Sequence, residues 1–322
     1  MYKLYPDCIP VKGFSRSVIF NLFHNEYIYI PNDLYNLLNK YENTTEWYKH
    51  IEKSKHLILD EYIKHLVDEK CLYHVNDLSS GLVSLEYTWD TPEDVSILNI
   101  ETTHNVSYKE LDLVNYLKKT RVQNLVINSV SLAISEKILS LLQETYVLDV
   151  NLYLPYCHQN ALQFDHLIEK YPFITKIVLT GAKDNTSCPL DSSNQVIVHY
   201  LKEYKTDPAN RSISFVINKK FFLEARSFNS FYNKRLFIDT NGNIKDCYSG
   251  PVLSNIKTCS LTEHKISGKY WSVKKDSVET CKDCEHRYMC YDPRIPIKTG
   301  EKTIYATHCG YDPYKVEWIG NK

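Results

Sequence analysis

The amino-acid sequence predicts an α/β protein, and three observations support this fold class. Between residues 92 and 232, apolar runs of strand length alternate with helical patterns in steps of about 25 to 30 residues. Residues 1–78 carry a shorter mixture of strands and helices, and residues 233–322 carry six of the ten cysteines. Because a helix between two strands returns the chain to a parallel neighbour, the alternation predicts a parallel sheet with helices outside it.

The first region, residues 1–78, is predicted to be a small winged-helix-like domain. Two apolar strands within Ser17–Ile30 predict a hairpin. A domain of this kind presents a strand edge and a helix groove to an extended peptide, although the pattern fits a purely structural cap equally well. The remaining predicted elements are helices beginning near Pro31, Thr45 and Leu59 and a strand at Leu72–Val75.

The middle region, residues 92–232, is predicted to form a partial β/α barrel or an open sheet, because about five strands are too few for a closed eight-stranded barrel. The predicted strands are Val95–Ile100, Asn124–Ile127, Val150–Leu154, Ile174–Leu179 and Ile213–Ile217. The predicted helices are Tyr108–Lys119, Ser135–Glu144, Ala161–Lys170 and Gln195–Tyr204.

The loops after the strands are where parallel sheets carry functional residues. Here they contain Glu101, His104 and the pair Cys157-His158, but no glycine-rich phosphate-binding run. Adjacent residues in a sequence seldom face each other as nucleophile and base, and no third residue is positioned to orient them. These loops therefore identify no catalytic residue.

The sharpest pattern lies near the C-terminus. Cys281, Cys284 and Cys290 follow the spacing C-x2-C-x5-C, and eighteen residues separate Cys290 from Cys309. Two cysteines three positions apart can bind one metal centre from a single turn, and two later thiolates complete a four-sulfur site. Zinc and an iron–sulfur cluster both accept four thiolates, so the spacing does not choose between them. Disulfides, buried free thiols and chance spacing are the alternatives.

Two further cysteines precede this pattern. Arg235–Lys245 predicts a hairpin around an Asn241-Gly242 turn, and its second strand leads into Cys247. Cys259 follows twelve residues later. Cys247 and Cys259 are less favoured as metal ligands than the four cysteines that follow them.

Composition and charge exclude several classes of protein. Hydrophobic residues make up 43% of the chain and charged residues 24%, as in ordinary globular proteins, and the formal net charge of −1 recruits neither nucleic acid nor an anionic membrane. No apolar run is long enough to span a bilayer, and Met1–Asp7 lacks the layout of a secretory signal. We therefore expect a cytoplasmic protein, whose reducing surroundings favour metal ligation over disulfides.

The C-terminal arrangement resembles the SPASM domain, the iron–sulfur extension of many radical-SAM peptide-modifying enzymes. The matching features are the Asn241-Gly242 hairpin into Cys247, the Asn255-Ile256 step, and the C-x2-C-x5-C block with a distant last cysteine. Relatives place a further cysteine after the block, where this chain has Asp292-Pro293-Arg294. The resemblance thus implies a single 4Fe–4S cluster, with Zn²⁺ as the alternative, held by Cys281, Cys284, Cys290 and Cys309.

Residues 92–232 resemble a radical-SAM barrel that has lost its chemistry. In that family the first barrel strand runs into a C-x3-C-x2-C loop, whose cluster binds and cleaves S-adenosylmethionine. The corresponding stretch here, Glu101–Tyr108, contains no cysteine, and the motif occurs nowhere in the chain. The resemblance therefore implies a degenerate partial barrel without S-adenosylmethionine and without radical-SAM activity.

The whole chain is similar to the SPASM-domain peptide maturases of grasp-with-spasm systems, on Cys8–Gly13, Tyr29–Leu34, Cys281–Tyr288 and Cys309–Tyr314. Members are encoded with an ATP-grasp ligase and a short precursor peptide. The resemblance implies a role in maturing a ribosomally synthesised, post-translationally modified peptide, with residues 1–78 recognising the precursor. The residues predicted to contact this peptide are Val18, Phe20, Tyr27, Tyr29 and Leu34.

Two functions follow from these expectations. In the first, the protein is an accessory factor that binds the precursor leader and the ATP-grasp ligase. Its cluster is then structural, because four protein thiolates leave iron no open position. In the second, the protein is an enzyme that modifies the precursor through cluster-based electron transfer or through unrecognised barrel chemistry.

Overall fold

The structure is a computed structural model that describes residues 1–76, 82, 88–156, 161–190, 193–205, 207–210, 212–258 and 268–318. The chain divides into two compact units. The first unit comprises Met1–Trp89, Ile213–Ser230 and Val273–Lys322, and the second comprises Asp90–Ser212 and Phe231–Ser272. The first unit therefore combines the N-terminal region with the segment that carries Cys281, Cys284, Cys290 and Cys309.

Most of the regular elements are short. The strands are β1 (Tyr2–Leu4), β2 (Cys8–Val11), β3 (Ser17–Asn21), β4 (Glu26–Ile30), β5 (Leu72–His74), β6 (Ile97–Thr102), β7 (Asn124–Ser129), β8 (Asp149–Pro155), β9 (Ile174–Thr180), β10 (Thr186–Leu190), β11 (Ser193–Leu201), β12 (Ser214–Phe215), β13 (Arg235–Ile238), β14 (Asn243–Lys245), β15 (Ser254–Asn255), β16 (Cys290–Tyr291), β17 (Pro296–Thr299), β18 (Lys302–Tyr305), β19 (Tyr311–Asp312) and β20 (Glu317–Trp318). The α-helices are α1 (Asn32–Lys40), α2 (Thr44–His50), α3 (His56–Asp68), α4 (Glu110–Thr120), α5 (Leu132–Leu142), α6 (Ala161–Lys170) and α7 (Lys219–Ser227).

The second unit is built on a mixed sheet with the strand order β10-β11-β9-β8-β7-β6-β13-β14-β15. Strands β6 to β9, β11 and β13 run parallel, and β10, β14 and β15 pair antiparallel at the two ends. Each of β7, β8 and β9 is added beside the preceding strand, and the intervening helices α4, α5 and α6 pack with the sheet in one hydrophobic core. The α/β fold class predicted from the sequence is confirmed.

Two of the predicted elements in this region are wrong. Gln195–Tyr204 was expected to be a helix, but Ser193–Leu201 forms strand β11, which pairs with β9 and β10. The run Val196-Ile197-Val198 is β-branched throughout, and such residues pack well on a pleated surface. Ile213–Ile217 was expected to continue the parallel sheet, but only Ser214–Phe215 is a strand, and it pairs with β16 in the first unit.

The first unit is centred on the three-stranded sheet β2-β3-β4, whose β3–β4 hairpin and following helices were predicted. One face of the sheet packs through Ile19 and Ile30 against α1, α2 and α3. The opposite face packs through Val18 and Phe20 against α7 and Met289. Because both faces are covered, every residue of β3 is buried.

No helix in the described part of the chain is long and apolar enough to cross a membrane.

Candidate metal centre

The four cysteines of the C-terminal pattern are presented by short, irregular elements of the first unit. Cys281 begins a single 3-10 turn, Cys281–Asp283, and the Cys284 N–H donates to the Cys281 carbonyl at 3.1 Å. Cys290 begins β16 and lies opposite Phe215 of β12. Cys309 lies in the loop between β18 and β19. The first two thiols thus come from one turn, the third from a strand and the fourth from a loop.

The backbone is strained directly before the first of these cysteines. Thr280 has φ +67°, a value that a β-branched residue rarely adopts. Strained residues persist only where the surrounding structure fixes them, and they occur preferentially at functional sites. At this position the conformation turns the chain into the 3-10 turn that carries Cys281 and Cys284.

The four thiols share one electrostatic environment. Cys281 interacts with Cys309, Cys290 interacts with both of them, and Cys284 interacts with Cys281 and Cys290. Burial raises the pKa of Cys281 and Cys284, and it raises that of Cys290 to about 12. A metal that binds Cys281, Cys284 and Cys290 must therefore displace protons from their thiols.

Two buried cations accompany the thiols and share one carboxylate. Lys275 Nζ lies 2.9 Å from Asp292 Oδ2, and Arg294 Nη2 lies 2.7 Å from the same oxygen. All three residues are at least nine-tenths buried. Lys275 lowers the pKa of Cys281 and Cys290 against the effect of burial. Two cations facing one carboxylate leave a positive charge that a metal–thiolate centre of negative net charge would balance, so these residues fit such a group.

Backbone amides also point at the sulfur atoms. The Tyr311 N–H donates to Cys309 Sγ at 3.4 Å. The backbone N–H of His286 hydrogen-bonds Cys284 and lowers its pKa against the larger effect of burial. Hydrogen bonds of this kind favour the thiolate form and influence the properties of a bound cluster.

A cavity of about 380 Å³ opens beside the thiols, with Cys281 and Cys309 in its wall. Arg294 and the aromatic residues Tyr305, Tyr311 and Tyr314 also contribute to its lining. This space is larger than a single metal ion needs, and it gives one side of the site access to molecules from outside.

Glu285 and His286, which lie between the predicted ligands, are functional candidates that the sequence reasoning missed. Their side-chain donor atoms and the Cys284 sulfur all lie within 4.8 Å of one another. Arg16 Nε donates to Glu285 Oε1 at 2.7 Å, and Tyr29 Oη lies 2.7 Å from His286 Nε2. Both side chains are therefore already held by the N-terminal sheet region, and the pair connects that region to the cysteine segment.

Residues 292–294 were noted in the sequence only as the place of a missing cysteine. In the structure Asp292 and Arg294 form the buried ion pair beside the thiols, with Lys275 as the second cation. The signal that could have found them is weak. Charged residues next to a cysteine block are common on exposed loops, and only the fold shows that these three are buried.

The other predicted cysteine ligands lie elsewhere or outside the described residues. Cys247 belongs to the second unit, is buried, and packs closely against Gly250, where a Cβ atom would lie 2.5 Å from its sulfur. Burial raises the pKa of its thiol to about 12. Cys259 and the pair Cys157-His158 lie outside the described residues. The eight cysteines that the structure describes are all free thiols.

The residues predicted to contact a peptide are placed less favourably. Val18, Phe20 and Leu34 are at most 3% exposed, and each is packed in a hydrophobic core of the first unit. The expectation that these three side chains touch a peptide is therefore corrected, because no surface of theirs is available for one. Tyr27 is half-buried and Tyr29 is 38% exposed, and both lie on β4 at the edge of the sheet.

Comparison with known proteins gives a distant structural likeness. No protein-family model matches the chain, and no curated protein matches it. Two structures of SuiB from Streptococcus suis are similar to it, and each match covers 90% of this chain and 94% of that chain. SuiB bound to S-adenosylmethionine has 11% identity and a TM-score of 0.31. SuiB bound to its precursor peptide SuiA has 9% identity and a TM-score of 0.26.

Proposed function

We propose that this protein is an accessory factor in the maturation of a ribosomally synthesised, post-translationally modified peptide. It binds the leader of the precursor peptide and the ATP-grasp ligase, and it carries one 4Fe–4S cluster on Cys281, Cys284, Cys290 and Cys309. In this proposal the chain is a winged-helix-like recognition domain (1–78), a degenerate partial barrel (92–232) and a SPASM domain (233–322). The support for the family comes from the sequence motifs, and the support for the cluster comes from the site.

The observation that carries the proposal is the shared environment of the four thiols beside two buried cations. The cluster would supply a rigid four-point cross-link between segments that otherwise have little regular structure. Lys275 and Arg294 would oppose its negative charge, and the amides of His286 and Tyr311 would hydrogen-bond its sulfur ligands. Since all four positions are protein thiolates, the role is mainly structural.

Strand β4 is the proposed docking site for the leader. It forms one edge of the sheet β2-β3-β4, so its outer main-chain groups can pair with an extended peptide. Tyr27 and Tyr29 lie on this strand, and Tyr29 reaches His286 between the cysteine ligands. The leader would thus bind next to the segment that the cluster cross-links.

Metal and sulfide analysis of protein purified without oxygen tests the proposal. About four irons and four sulfides per chain, with broad absorbance near 400 nm, is the expected result. One zinc without sulfide would overturn the cluster and keep a structural four-thiolate site. About eight irons would mean that further cysteines, Cys247 and Cys259 first among them, hold a second cluster.

The peptide partner is tested separately, through the gene neighbourhood and direct binding. We expect a gene for an ATP-grasp ligase beside a short open reading frame, whose synthetic leader binds the purified protein. Replacing an outward main-chain group in β4, by Tyr27→Pro, should abolish leader binding while the metal content stays unchanged. Leader binding that survives this substitution would exclude strand addition at β4.

A second function, an enzyme using the cluster for electron transfer, is favoured by the cavity beside Cys281 and Cys309. A peptide or redox partner in this cavity would lie next to the sulfur ligands. A change in the mass of the precursor, produced by the purified protein with a chemical reductant, would establish this function. An unchanged mass, together with leader binding, would establish the accessory role.

A further inference from the structure

A cavity of about 300 Å³ lies in the second unit, at the carboxyl ends of the parallel strands β6, β7 and β13. This edge of a parallel sheet is the usual place for a ligand. The polar residues that line the cavity are Asn99, Glu101, Asn128, Asp239, Thr240, Lys245 and Tyr248. The volume is at the low end of the about 300 to 1,000 Å³ that is usual for small-molecule sites.

The two carboxylates in the wall of this cavity are not equivalent. Asp239 Oδ2 lies 2.9 Å from Lys245 Nζ, and Asp239 also accepts hydrogen bonds from the backbone N–H groups of Asn241 and Asn243. Its charge and lone pairs are thus used by the hairpin itself. Glu101 accepts one hydrogen bond, from the Tyr248 hydroxyl at 3.0 Å, and it forms no ion pair within the described residues. Glu101 is therefore the carboxylate that can bind a cation.

The charged side chains near Glu101 and Tyr248 are the carboxylates of Asp207 and Asp239 and the lysines Lys202 and Lys245. Glu101, Asp207 and Asp239 all contribute to raising the pKa of Tyr248 to about 12, after the larger effect of burial. Tyr248 therefore remains a neutral hydrogen-bond donor at physiological pH. Apolar groups from Ile100, Phe237, Ile238 and Pro208 form the rest of the wall. A charged group at Glu101 with an alkyl stem along these residues matches both parts of the cavity.

A second cavity of about 430 Å³ adjoins the first and shares Glu101 and Asn128 with it. Thr102, which lines this second cavity, is 1% exposed, and its hydroxyl has no hydrogen-bond partner among the described residues. A buried hydroxyl without a partner is unfavourable, so its presence in a cavity wall indicates a ligand that supplies one. Further hydroxyl groups in the same wall belong to Thr103, Ser129, Thr180 and Tyr204.

We propose that these two cavities bind a peptide segment through a cationic side chain. The ammonium or guanidinium group pairs with Glu101, its stem occupies the rest of the first cavity, and the adjoining main chain extends into the second cavity, where it hydrogen-bonds to the hydroxyl of Thr102. The identification of the ligand as a peptide rests on the proposed function, and the cation preference rests on the cavity alone. Substrate selection is thereby assigned to the carboxyl edge of the sheet in the second unit.

Ligand-observed NMR titration of the full chain tests this with three small probes. They are the N-acetyl N-methylamides of lysine, arginine and norleucine, which share two peptide bonds and differ in the end of the side chain. We expect at least one cationic probe to bind about tenfold more tightly than the norleucine probe, and the lysine–arginine comparison identifies the preferred cation. Equal affinity for the norleucine probe, or no binding of any probe, would overturn the proposal.

Two variants and one control locate the binding. Glu101→Gln keeps the size of the side chain and should abolish the preference for cations. Thr102→Val should weaken the binding of the lysine and norleucine probes by the same factor, because both probes use the main-chain contact. Glu169 is an exposed carboxylate on α6 in the same unit, and Glu169→Gln should change neither the affinity of the probes nor the preference for cations. A cation preference that survives Glu101→Gln would place the binding elsewhere and reject the site.

A competition experiment separates this proposal from a nucleoside site. If S-adenosylmethionine binds and displaces the lysine probe, the cavity serves that ligand and the proposal fails. Failure here leaves metal content and leader binding unchanged, since neither involves the second unit's cavities. Conversely, if the protein has no role in peptide maturation, the cation preference of the cavity would still hold, and the peptide that binds there would come from another source.

Discussion

Replacing Asp292 by asparagine should destabilise the first unit far more than removing one of the two cations that it holds. Asp292 is fully buried and accepts hydrogen bonds from Lys275 Nζ at 2.9 Å and from Arg294 Nε and Nη2 at 2.9 and 2.7 Å. Asparagine keeps the shape but removes the charge, so two buried cations lose their only carboxylate among these contacts. Leaving a buried charge uncompensated costs about 3 to 5 kcal/mol, and this is the loss that we expect.

The matched variant is Lys275→Met, which removes one buried cation and leaves the bidentate Arg294–Asp292 pair intact. A long apolar side chain replaces a buried ion, so the loss should stay below about 2 kcal/mol. Urea unfolding without oxygen, at equal metal loading and followed by circular dichroism, measures both values. Equal losses for Asp292→Asn and Lys275→Met would refute the reasoning that one carboxylate serves two cations.

Three further predictions concern the thiols and the N-terminal sheet. Lys275 lowers the pKa of the Cys281 and Cys290 thiols, so Lys275→Met should raise the pKa of both. Protons then compete with the metal at a higher pH, and acid-induced metal release, measured by absorbance against pH, should begin at a higher pH than in the wild type. Cys284→Ala should lose the metal and unfold more easily. Cys188→Ala, which removes an exposed thiol, is the control and should keep full metal content. Full metal content in Cys284→Ala would show that Cys284 is not a ligand. Phe20→Ala, which deletes a buried ring between the sheet and the cysteine segment, should lower the free energy of unfolding by about 3 to 5 kcal/mol. Phe23 is 75% exposed, so Phe23→Ala should leave the free energy of unfolding almost unchanged when both variants are measured by thermal unfolding.

Local sequence patterns were sufficient to predict most of the helices and strands of the central sheet region. The periodicity of apolar residues placed α4, α5 and α6 and strands β6 to β9 close to their observed bounds. The Asn241-Gly242 turn was equally predictable, because an Asn-Gly pair favours a tight hairpin turn. In the structure Gly242 has φ +78°, a conformation that favours glycine. These signals depend on neighbours a few positions apart, so they survive without knowledge of the fold. The α/β class follows from them directly.

Strand β11 shows where such patterns fail. Its apolar residues can be read at helical or at strand spacing, and only the free edge of β9 beside it decides in favour of a strand. The same limit applies to Val18 and Phe20. Alternation on a hairpin predicts one buried and one exposed face, but α7 and Met289 cover the second face of β3. A partner from a distant part of the chain thus changed a surface into a core.

The sequence alone determined the four-cysteine pattern, since ligand spacing within a turn is a property of the local chain. Only the tertiary structure decided what surrounds those cysteines. Arg16 reaches Glu285 across 269 positions in the sequence, and Lys275 shares Asp292 with Arg294 inside a buried cluster. Charged residues carry no periodic signal of their contacts, because a side chain's charge is the same on the surface and in the core. Burial and partner choice come from the packing of distant segments, which the completed fold alone specifies.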